Sequence, residues 1–250
     1  MPAGKQVFPS VWTRVQQQRR EQPALSREQI VSAALQLLDA EGIDALSMRK
    51  LGALLNAGAT SMYTHVTNKN ELIELVVDKV YGEVQVPSTG DAAGWRAAIT
   101  GCARSMRSTL LRHSWIVSVL GESGLAYLGP NMLRLTEAML AVFEEAGFSL
   151  EAADQALNTV VAYVIGISTS EAAWLTMLAR SGQSEQEWAD RLWPVAEQAV
   201  KDYPRLRKLY AAQRLQNHGG IRDDDFDTGL DCVLHGLVTR FAPTAVRGDD

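Results

Sequence analysis

The stretch that decides the fold is residues 47–69, which read SMRKLGALLNAGATSMYTHVTNK. A short amphipathic helix over about 47–55 ends where Asn56 and Gly58 interrupt its apolar pattern. Asn and Gly are the residues that most readily adopt positive φ, so a tight turn is expected there. A second short helix follows over about 59–66. Two short helices joined by three or four residues predict a helix-turn-helix.

The exposed side of the second helix is predicted to be polar. In a helix-turn-helix this helix enters the major groove, where hydroxyl and imidazole groups can bond base edges or phosphates. Lys69 follows at the start of the next helix, where a lysine and free backbone amides together suit a phosphate. Spacing alone also allows a plain three-helix bundle with a polar face. The polar side chains are Thr60, Ser61, Tyr63, Thr64 and His65.

Three segments around this motif identify a family resemblance. Residues 25–34, 41–51 and 61–69 closely resemble the N-terminal domain of the tetracycline-repressor-like (TetR) transcriptional regulators, and the resemblance spans about residues 25–82. It implies phosphate contacts by Tyr63, His65 and Lys69, and base reading by Arg49, Thr60 and Ser61. The full set of DNA-contacting positions that it implies is Ser47, Arg49, Thr60, Ser61, Tyr63, His65 and Lys69.

The C-terminal portion resembles the ligand-binding domain of the tetracycline-repressor subgroup. This resemblance implies a homodimer in which helices at about 150–179 and 224–241 of both subunits form a four-helix bundle. Such a symmetric dimer would present two recognition helices to a near-palindromic operator in double-stranded DNA. The matching stretches are residues 94–95, 105–113, 146–151 and 226–237.

Apolar helices of this portion predict a ligand pocket. Met and aromatic side chains suit an adaptable pocket, although each of them could equally be core. By the resemblance, Leu120 stands where tetracycline repressors have a magnesium-ligating His, and a Leu side chain cannot coordinate Mg²⁺. We therefore expect a small apolar effector rather than magnesium–tetracycline. The predicted pocket residues are Cys102, Met106, Leu110, Leu120, Met139, Phe143, Tyr163, Trp174 and Met177.

The whole chain predicts an all-α protein, because no segment of useful length alternates as a strand does. We expect a flexible basic tail over residues 1–25 and a three-helix DNA-binding domain with its connecting helix over 26–82. A larger helical domain for ligand binding and dimerisation is expected over 91–245. Within it, 181–220 could be a lid or plain packing, and Pro194 should end or kink a helix.

The charge is distributed unevenly along the 250 residues. The formal net charge is -5, but residues 1–70 carry +3 and the remainder -8. Such an asymmetry suits a nucleic-acid module joined to another domain. The polar N-terminus and the lack of a 20-residue apolar run argue for a cytoplasmic protein without a membrane span. Cys102 and Cys232 are expected to be reduced and buried.

The sequence contains no recognisable catalytic, metal or cofactor site, so no enzyme activity is expected. His113, near a helix end, is interpreted as a cap. The combined reading is a DNA-binding transcriptional regulator, and specifically a repressor released from a palindromic operator by a small apolar molecule. Two alternatives stay open: a helical binding protein or enzyme with a vestigial helix-turn-helix, and a transcriptional activator.

Overall fold

The computed structural model describes residues 25–88, 94–122, 129–216 and 223–241, without the side chains of residues 59, 60, 121, 122, 215 and 216. Every extended regular element in these ranges is helical, which confirms the all-α prediction. The predicted basic tail lies outside them, apart from Leu25. The helices are α1 (Arg27–Glu41), α2 (Met48–Leu54), α3 (Ala59–Tyr63), α4 (Lys69–Tyr81), α5 (Gly94–Arg112), α6 (Ile116–Glu122), α7 (Pro130–Glu145), α8 (Leu150–Ser181), α9 (Glu185–Ala199), α10 (Pro204–Gln216) and α11 (Asp223–Phe241), with a 3₁₀ turn at Ile43–Ala45.

Helices α2 and α3 form the helix-turn-helix, and α1 and α4 contact each other in the same N-terminal domain. At the start of α1, the Ser26 hydroxyl accepts from the Gln29 amide and the Gln29 side chain accepts from the Ser26 amide. Asn56 has a φ of 49°, the left-handed conformation that the turn requires. Gly52 lies at the close contact of α2 with the turn, because a Cβ there would be 3.0 Å from the Ala57 carbonyl oxygen. The second helix is shorter than predicted and ends at residue 63.

Helix α4 connects the N-terminal domain to the C-terminal helices, since it contacts α1, α5 and α7. Its Asp78 is buried, and the carboxylate accepts from the amides of Asn131 and Met132 at 3.0 and 3.1 Å. These amides belong to the first turn of α7, where no partner is available within the helix. Asp78 therefore fixes α7 to α4, and the hydrophobic core continues across both halves of the molecule.

The body of the C-terminal half consists of the long α8 and of three helices that pack against it, α5, α7 and α11. Helix α8 buries Ala153, Val160 and Val164 along one face, as its helical period requires. Next to them, the rings of Trp95, Phe143 and Phe148 gather with centroids 5.4 to 5.9 Å apart. The core of this half is thus aliphatic along α8 and aromatic where α5 meets α7.

Helices α9 and α10 contact each other and extend from the end of α8. Trp174 of α8 meets Trp188 of α9 edge-on at 4.5 Å, and Trp193 meets Tyr210 of α10 at 6.0 Å. Helix α9 continues past Pro194 to Ala199, so the proline does not end it. The described part of the segment 181–220, for which the sequence left two roles open, is thus a helical hairpin over residues 185–216, attached to α8 by a tryptophan pair.

Candidate DNA interface and effector site

The recognition surface is built on two buried residues of the second helix and the turn after it. Met62 and Val66 are fully buried and fix α3 against the domain core. Tyr63, at the end of α3, is 51% exposed, and Arg49 on α2 is exposed. Ser61 is half-buried, while the side chain of Thr60 lies outside the described residues. Tyr63 and Arg49 therefore meet solvent where the predicted contacts require it.

Two further predicted contact residues, Ser47 and Lys69, are bonded to backbone groups through their side chains. Ser47 caps α2, because its hydroxyl accepts from the Lys50 amide at 3.2 Å. Lys69 is the first residue of α4, and its Nζ lies 3.4 Å from the Ile43 carbonyl oxygen. His65 is half-buried just beyond α3. Polar groups thus lie around the helix-turn-helix, and the Lys69 contact links α4 to the 3₁₀ turn before α2.

The predicted pocket residues fall into two groups. Trp174 and Tyr163 are half-buried and Met177 is 40% exposed, and the Tyr163 hydroxyl donates to the Phe226 carbonyl at 2.9 Å. Burial also raises the pKa of the Cys102 thiol to about 12, so this group stays protonated. The fully or nearly fully buried group is Cys102, Met106, Leu110, Leu120, Met139 and Phe143.

A cleft of about 510 Å³ lies between α8 and the corner that joins α5 to α6. Met177 is the predicted pocket residue that lines it. The walls combine apolar side chains with hydroxyls, and one cation, Arg180, stands at the end of α8. Among the described side chains, no three His, Cys, Asp or Glu residues gather as metal ligands. The lining residues are Ser114, Val117, Ser118, Thr169, Ala172, Ala173, Thr176, Met177 and Arg180.

The structure also contains a buried ion cluster that the sequence reading missed. Arg107 is 8% exposed and donates twice to the Glu171 carboxylate, at 2.7 Å for both bonds. A third bond of 2.6 Å reaches Asp223, whose side chain is 89% exposed. The guanidinium also lies 5.0 Å from the centre of the Phe226 ring. The hydrogen bonds that Arg107 donates to Glu171 raise the pKa of Arg107, so the cluster holds α5, α8 and α11 together through a permanent charge.

A second ion pair joins α5 and α11 at the surface. Arg104 donates to both carboxylate oxygens of Asp227, at 2.8 and 2.7 Å. The hydrogen bond from Arg104 lowers the pKa of Asp227. Two arginines of α5, three positions apart, therefore hold the first turns of α11, which begins with Asp223, Asp224 and Asp225.

Two sequence interpretations are wrong. His113 does not cap a helix, because its two ring nitrogens contact carboxylates of Asp39 and Glu83, on α1 and just after α4. Cys232 is exposed in the protomer, whereas burial was expected. A usable signal for the missed residues exists: Arg107, like Asp78, is a charged residue at a core-facing position of an otherwise apolar helical stripe.

Known proteins resemble this chain along nearly all of its length. Residues 30–76 match the family of "Bacterial regulatory proteins, tetR family", and residues 86–241 match "Tetracyclin repressor-like, C-terminal domain". An HTH-type transcriptional regulator of Saccharopolyspora erythraea is 35% identical, over 92% of this chain and 91% of its own. The HTH-type transcriptional repressor DrrR1 of Streptomyces coeruleorubidus is 30% identical, over 88% and 79%.

Solved structures agree with these sequence matches. The Streptomyces coelicolor TetR family protein ActR in complex with actinorhodin superposes with a TM-score of 0.74 at 28% identity. The match covers 90% of this chain and 100% of that one. Both halves of the fold, and their arrangement along the chain, are therefore shared with a protein solved with a bound small molecule.

Proposed function

The chain belongs to the TetR family of bacterial regulatory proteins and is a ligand-responsive DNA-binding transcriptional regulator, and we propose that it is a repressor released by a small apolar molecule. The observation that carries the DNA-binding part of this proposal is the helix-turn-helix, with its capped α2, its exposed Tyr63 and its lysine at the start of α4. An effector in the C-terminal domain would favour a conformation whose recognition helices no longer fit two successive major grooves. A regulator of this kind acts on the bacterial chromosome, so we place it in the cytoplasm.

The proposed contacts divide into two kinds. Phosphate contacts position the protein, whereas base contacts select the sequence. The Ser47 hydroxyl accepts from the Lys50 amide and keeps its own hydrogen to donate to a phosphate. Exposed Arg49 has the donor geometry that reads guanine. We assign phosphate contacts to Ser47, Tyr63, His65 and Lys69, and base contacts to Arg49, Thr60 and Ser61.

The test is DNA binding as a function of salt, with a duplex selected from a random library. Lys69→Ala should weaken binding to every sequence and reduce the log–log salt slope by about 2 per dimer, since each phosphate contact contributes roughly 0.9. Tyr63→Phe should weaken binding without changing the slope. Lys208→Ala removes an exposed lysine of α10 and is the matched control. Equal slopes for Lys69→Ala and Lys208→Ala would contradict the proposed interface.

The cleft beside the α5–α6 corner is the proposed entrance of the effector. The apolar lining residues Val117, Ala172 and Met177 favour an apolar molecule, and the hydroxyls of the lining can orient polar groups on that molecule. Leu120 is buried and apolar and offers no ligand atom to Mg²⁺. The nine predicted pocket residues, carried by α5 to α8, are proposed to contact the effector as it separates these helices. In calorimetric titrations with tetracycline, we expect no heat that depends on Mg²⁺; such a heat would refute the apolar assignment.

Helices α8 and α11 are the proposed dimer seam. Gly166 and Gly236 lie on exposed positions inside them, and a Cβ at either would meet no atom within 4 Å in the protomer. A glycine inside a helix costs about 1 kcal/mol relative to alanine, and the close approach of a second subunit supplies the reason for it. Residues 155–170 of α8 carry no Asp, Glu, Lys or Arg.

The composition of α8 agrees with a covered face. By length and composition alone this helix could cross a membrane, and 28% of its apolar window is buried in the protomer. Pairing of α8 with the same helix of a second subunit would cover more of that surface without any membrane. The apolar character of α8 is thus accounted for by the proposed four-helix seam.

Three matched substitutions test the seam. Gly166→Trp and Gly236→Trp should shift the chain to monomers, because a large side chain separates the helices. Gly101→Trp, on an exposed position of α5 with equally open surroundings, should leave the dimer intact. The mass is measured by analytical ultracentrifugation. If all three variants stay dimeric, the seam lies elsewhere.

A further inference from the structure

Five polar or ionisable side chains meet where the DNA-binding domain contacts the corner between α5 and α6. His113 is 4% exposed, with its Nδ1 at 2.7 Å from an Asp39 oxygen and its Nε2 at 3.2 Å from a Glu83 oxygen. The Trp115 indole donates to the same Asp39 oxygen at 2.8 Å. Arg112 donates to the same Glu83 oxygen at 2.6 Å. We name these five residues the junction cluster.

Both ring nitrogens of His113 can donate to their carboxylate partners only when each nitrogen carries a hydrogen. A neutral ring has one N–H and one lone pair, so it can donate to only one carboxylate. Trp115 and Arg112 are donors only, which makes both contacted oxygens acceptors. A neutral His113 would therefore turn its lone pair toward an oxygen of Asp39 or of Glu83. The imidazolium instead donates to both, and it brings the charge of the cluster to zero.

The cluster joins three separate segments of the chain. Asp39 lies in the last turn of α1, and Glu83 follows the end of α4, whereas the other three residues belong to the α5–α6 corner. The charged groups that face the His113 ring are thus one carboxylate from α1, one from beyond α4 and one guanidinium from α5. The His113 ring therefore contacts the end of α1 and the residues just after α4, the two helices that pack against each other in the N-terminal domain.

We propose that His113 is a positioning residue whose proton fixes the angle of the DNA-binding domain, so that operator binding depends on pH. This inference rests on the proposed function. When the ring is protonated, both contacts form and the two recognition helices of a dimer are held at one spacing. When the proton leaves, one contact is lost and the domains sample more orientations. Binding to two half-sites then requires additional ordering, which weakens it.

The same corner also reaches the proposed effector site. Ser114, Val117 and Ser118 line the cleft; Ser114 stands between His113 and Trp115 of the junction cluster, and the other two follow within three residues of Trp115. A molecule that moves this corner would therefore also move the groups that hold α1. The protonation of His113 and the binding of the effector thus act on the same corner between α5 and α6. We expect loss of the proton and binding of the effector both to weaken operator binding.

The experiment compares operator binding at about pH 6 and pH 8 by fluorescence anisotropy at constant salt, in the range where histidine titrates. The probes are the selected palindromic duplex and a duplex that holds one half-site. Glu83→Gln is the informative variant, because its amide can donate to the lone pair of a neutral ring and makes the contact without the proton. Glu144→Gln is the control, an exposed change of equal charge on α7. His65 is retained in every protein, so its titration is common to all of them.

Wild type and Glu144→Gln should lose about tenfold in affinity for the palindrome between pH 6 and pH 8, the effect of one hydrogen bond to a charged group. Their affinity for the half-site should change less, and Glu83→Gln should show the same smaller change on both duplexes. Equal pH dependence in wild type and Glu83→Gln overturns the proposal. An affinity of the wild type that rises with pH also overturns it.

A second readout separates this inference from the proposed function. If no protein binds any duplex in a salt-sensitive manner, the regulatory assignment fails, and the junction cluster is then tested without DNA. Selective ¹⁵N labelling of histidine gives the protonation of each ring, and His113→Gln assigns the signal. Two protonated nitrogens in His113 at about pH 6 support the cluster, and a neutral ring in a single tautomer overturns it.

Discussion

Removal of the Arg107 side chain should destabilise the C-terminal half strongly, although the chain stays all-α. Arg107→Leu deletes three charged hydrogen bonds, two of them to Glu171, which is itself only 8% exposed. A buried carboxylate without its partner costs about 3–5 kcal/mol. In a chain of this size each kcal/mol corresponds to about 2–4 °C, so the midpoint of thermal unfolding should fall by about 6–20 °C.

Two companion variants make this prediction specific. Asp223→Ala removes the third bond, but that side chain is 89% exposed, so the loss should stay within about 1 kcal/mol. The double variant Arg107→Leu/Glu171→Leu leaves no buried charge behind and should recover most of the stability. The series separates the energy of the pair from the penalty of one unpaired partner.

The assay is urea and thermal unfolding followed by circular dichroism at one fixed protomer concentration, because dimerisation makes stability depend on concentration. The reasoning is refuted if Arg107→Leu lies within about 1 kcal/mol of Asp223→Ala. It is also refuted if the double variant is no more stable than the single one, since the unpaired Glu171 charge would then not be the cause.

Three other outcomes are expected. Arg104 lowers the pKa of Asp227 in the folded protein, so this pair stabilises the fold above the unfolded-state pKa of about 4. The stabilisation is lost as the pH falls through the folded-state pKa. The difference in urea midpoint between wild type and Asp227→Asn should therefore shrink from pH 6 to pH 3. Cys102, whose pKa is about 12, should resist iodoacetamide in the native protein at pH 8, and labelling of Cys102 under these conditions would show that the core opens. Cys232 should react only when dilution separates the dimer. Gly52→Val should lower the free energy of unfolding by about 1–3 kcal/mol, because its Cβ would lie 3.0 Å from a carbonyl oxygen. The same substitution at an exposed helical glycine should cost less, and the reverse order would contradict the prediction.

The features that could be predicted from the sequence are the ones encoded locally. Capping at Ser26, the left-handed turn at Asn56 and the close approach at Gly52 each depend on residues within a few positions of one another. Helical periodicity gave the class and most of the helices for the same reason. The end of α3 at Tyr63, three residues earlier than expected, shows that the periodicity of apolar residues continues past the hydrogen-bonded helix.

The predicted pocket illustrates a second limit. Met106 and Met139 are 2% exposed, whereas Met177 is 40% exposed and lines the cleft, yet all three stand in similar apolar helical contexts. Whether such a residue borders a cavity or fills the core depends on how helices distant in sequence fit against each other. Periodicity reports which side of a helix faces inward, and it contains no information on the space between two inward faces.

The polar contacts that join different helices are made by residues far apart in sequence. Asp39 and His113 are 74 positions apart, and Arg107 and Asp223 are 116 positions apart. The two partners of each pair are too far apart in sequence to be recognised together. Each pair can still be suspected from one residue: a charged or titratable side chain in the buried stripe of an apolar helix, or at the buried end of such a helix. Burial of such a group without a partner is too costly to be retained, so that residue predicts that a partner exists without identifying it. In this regulator the recognition helix is therefore predictable from sequence, whereas the proposed coupling between recognition and sensing depends on contacts that only the tertiary structure brings together.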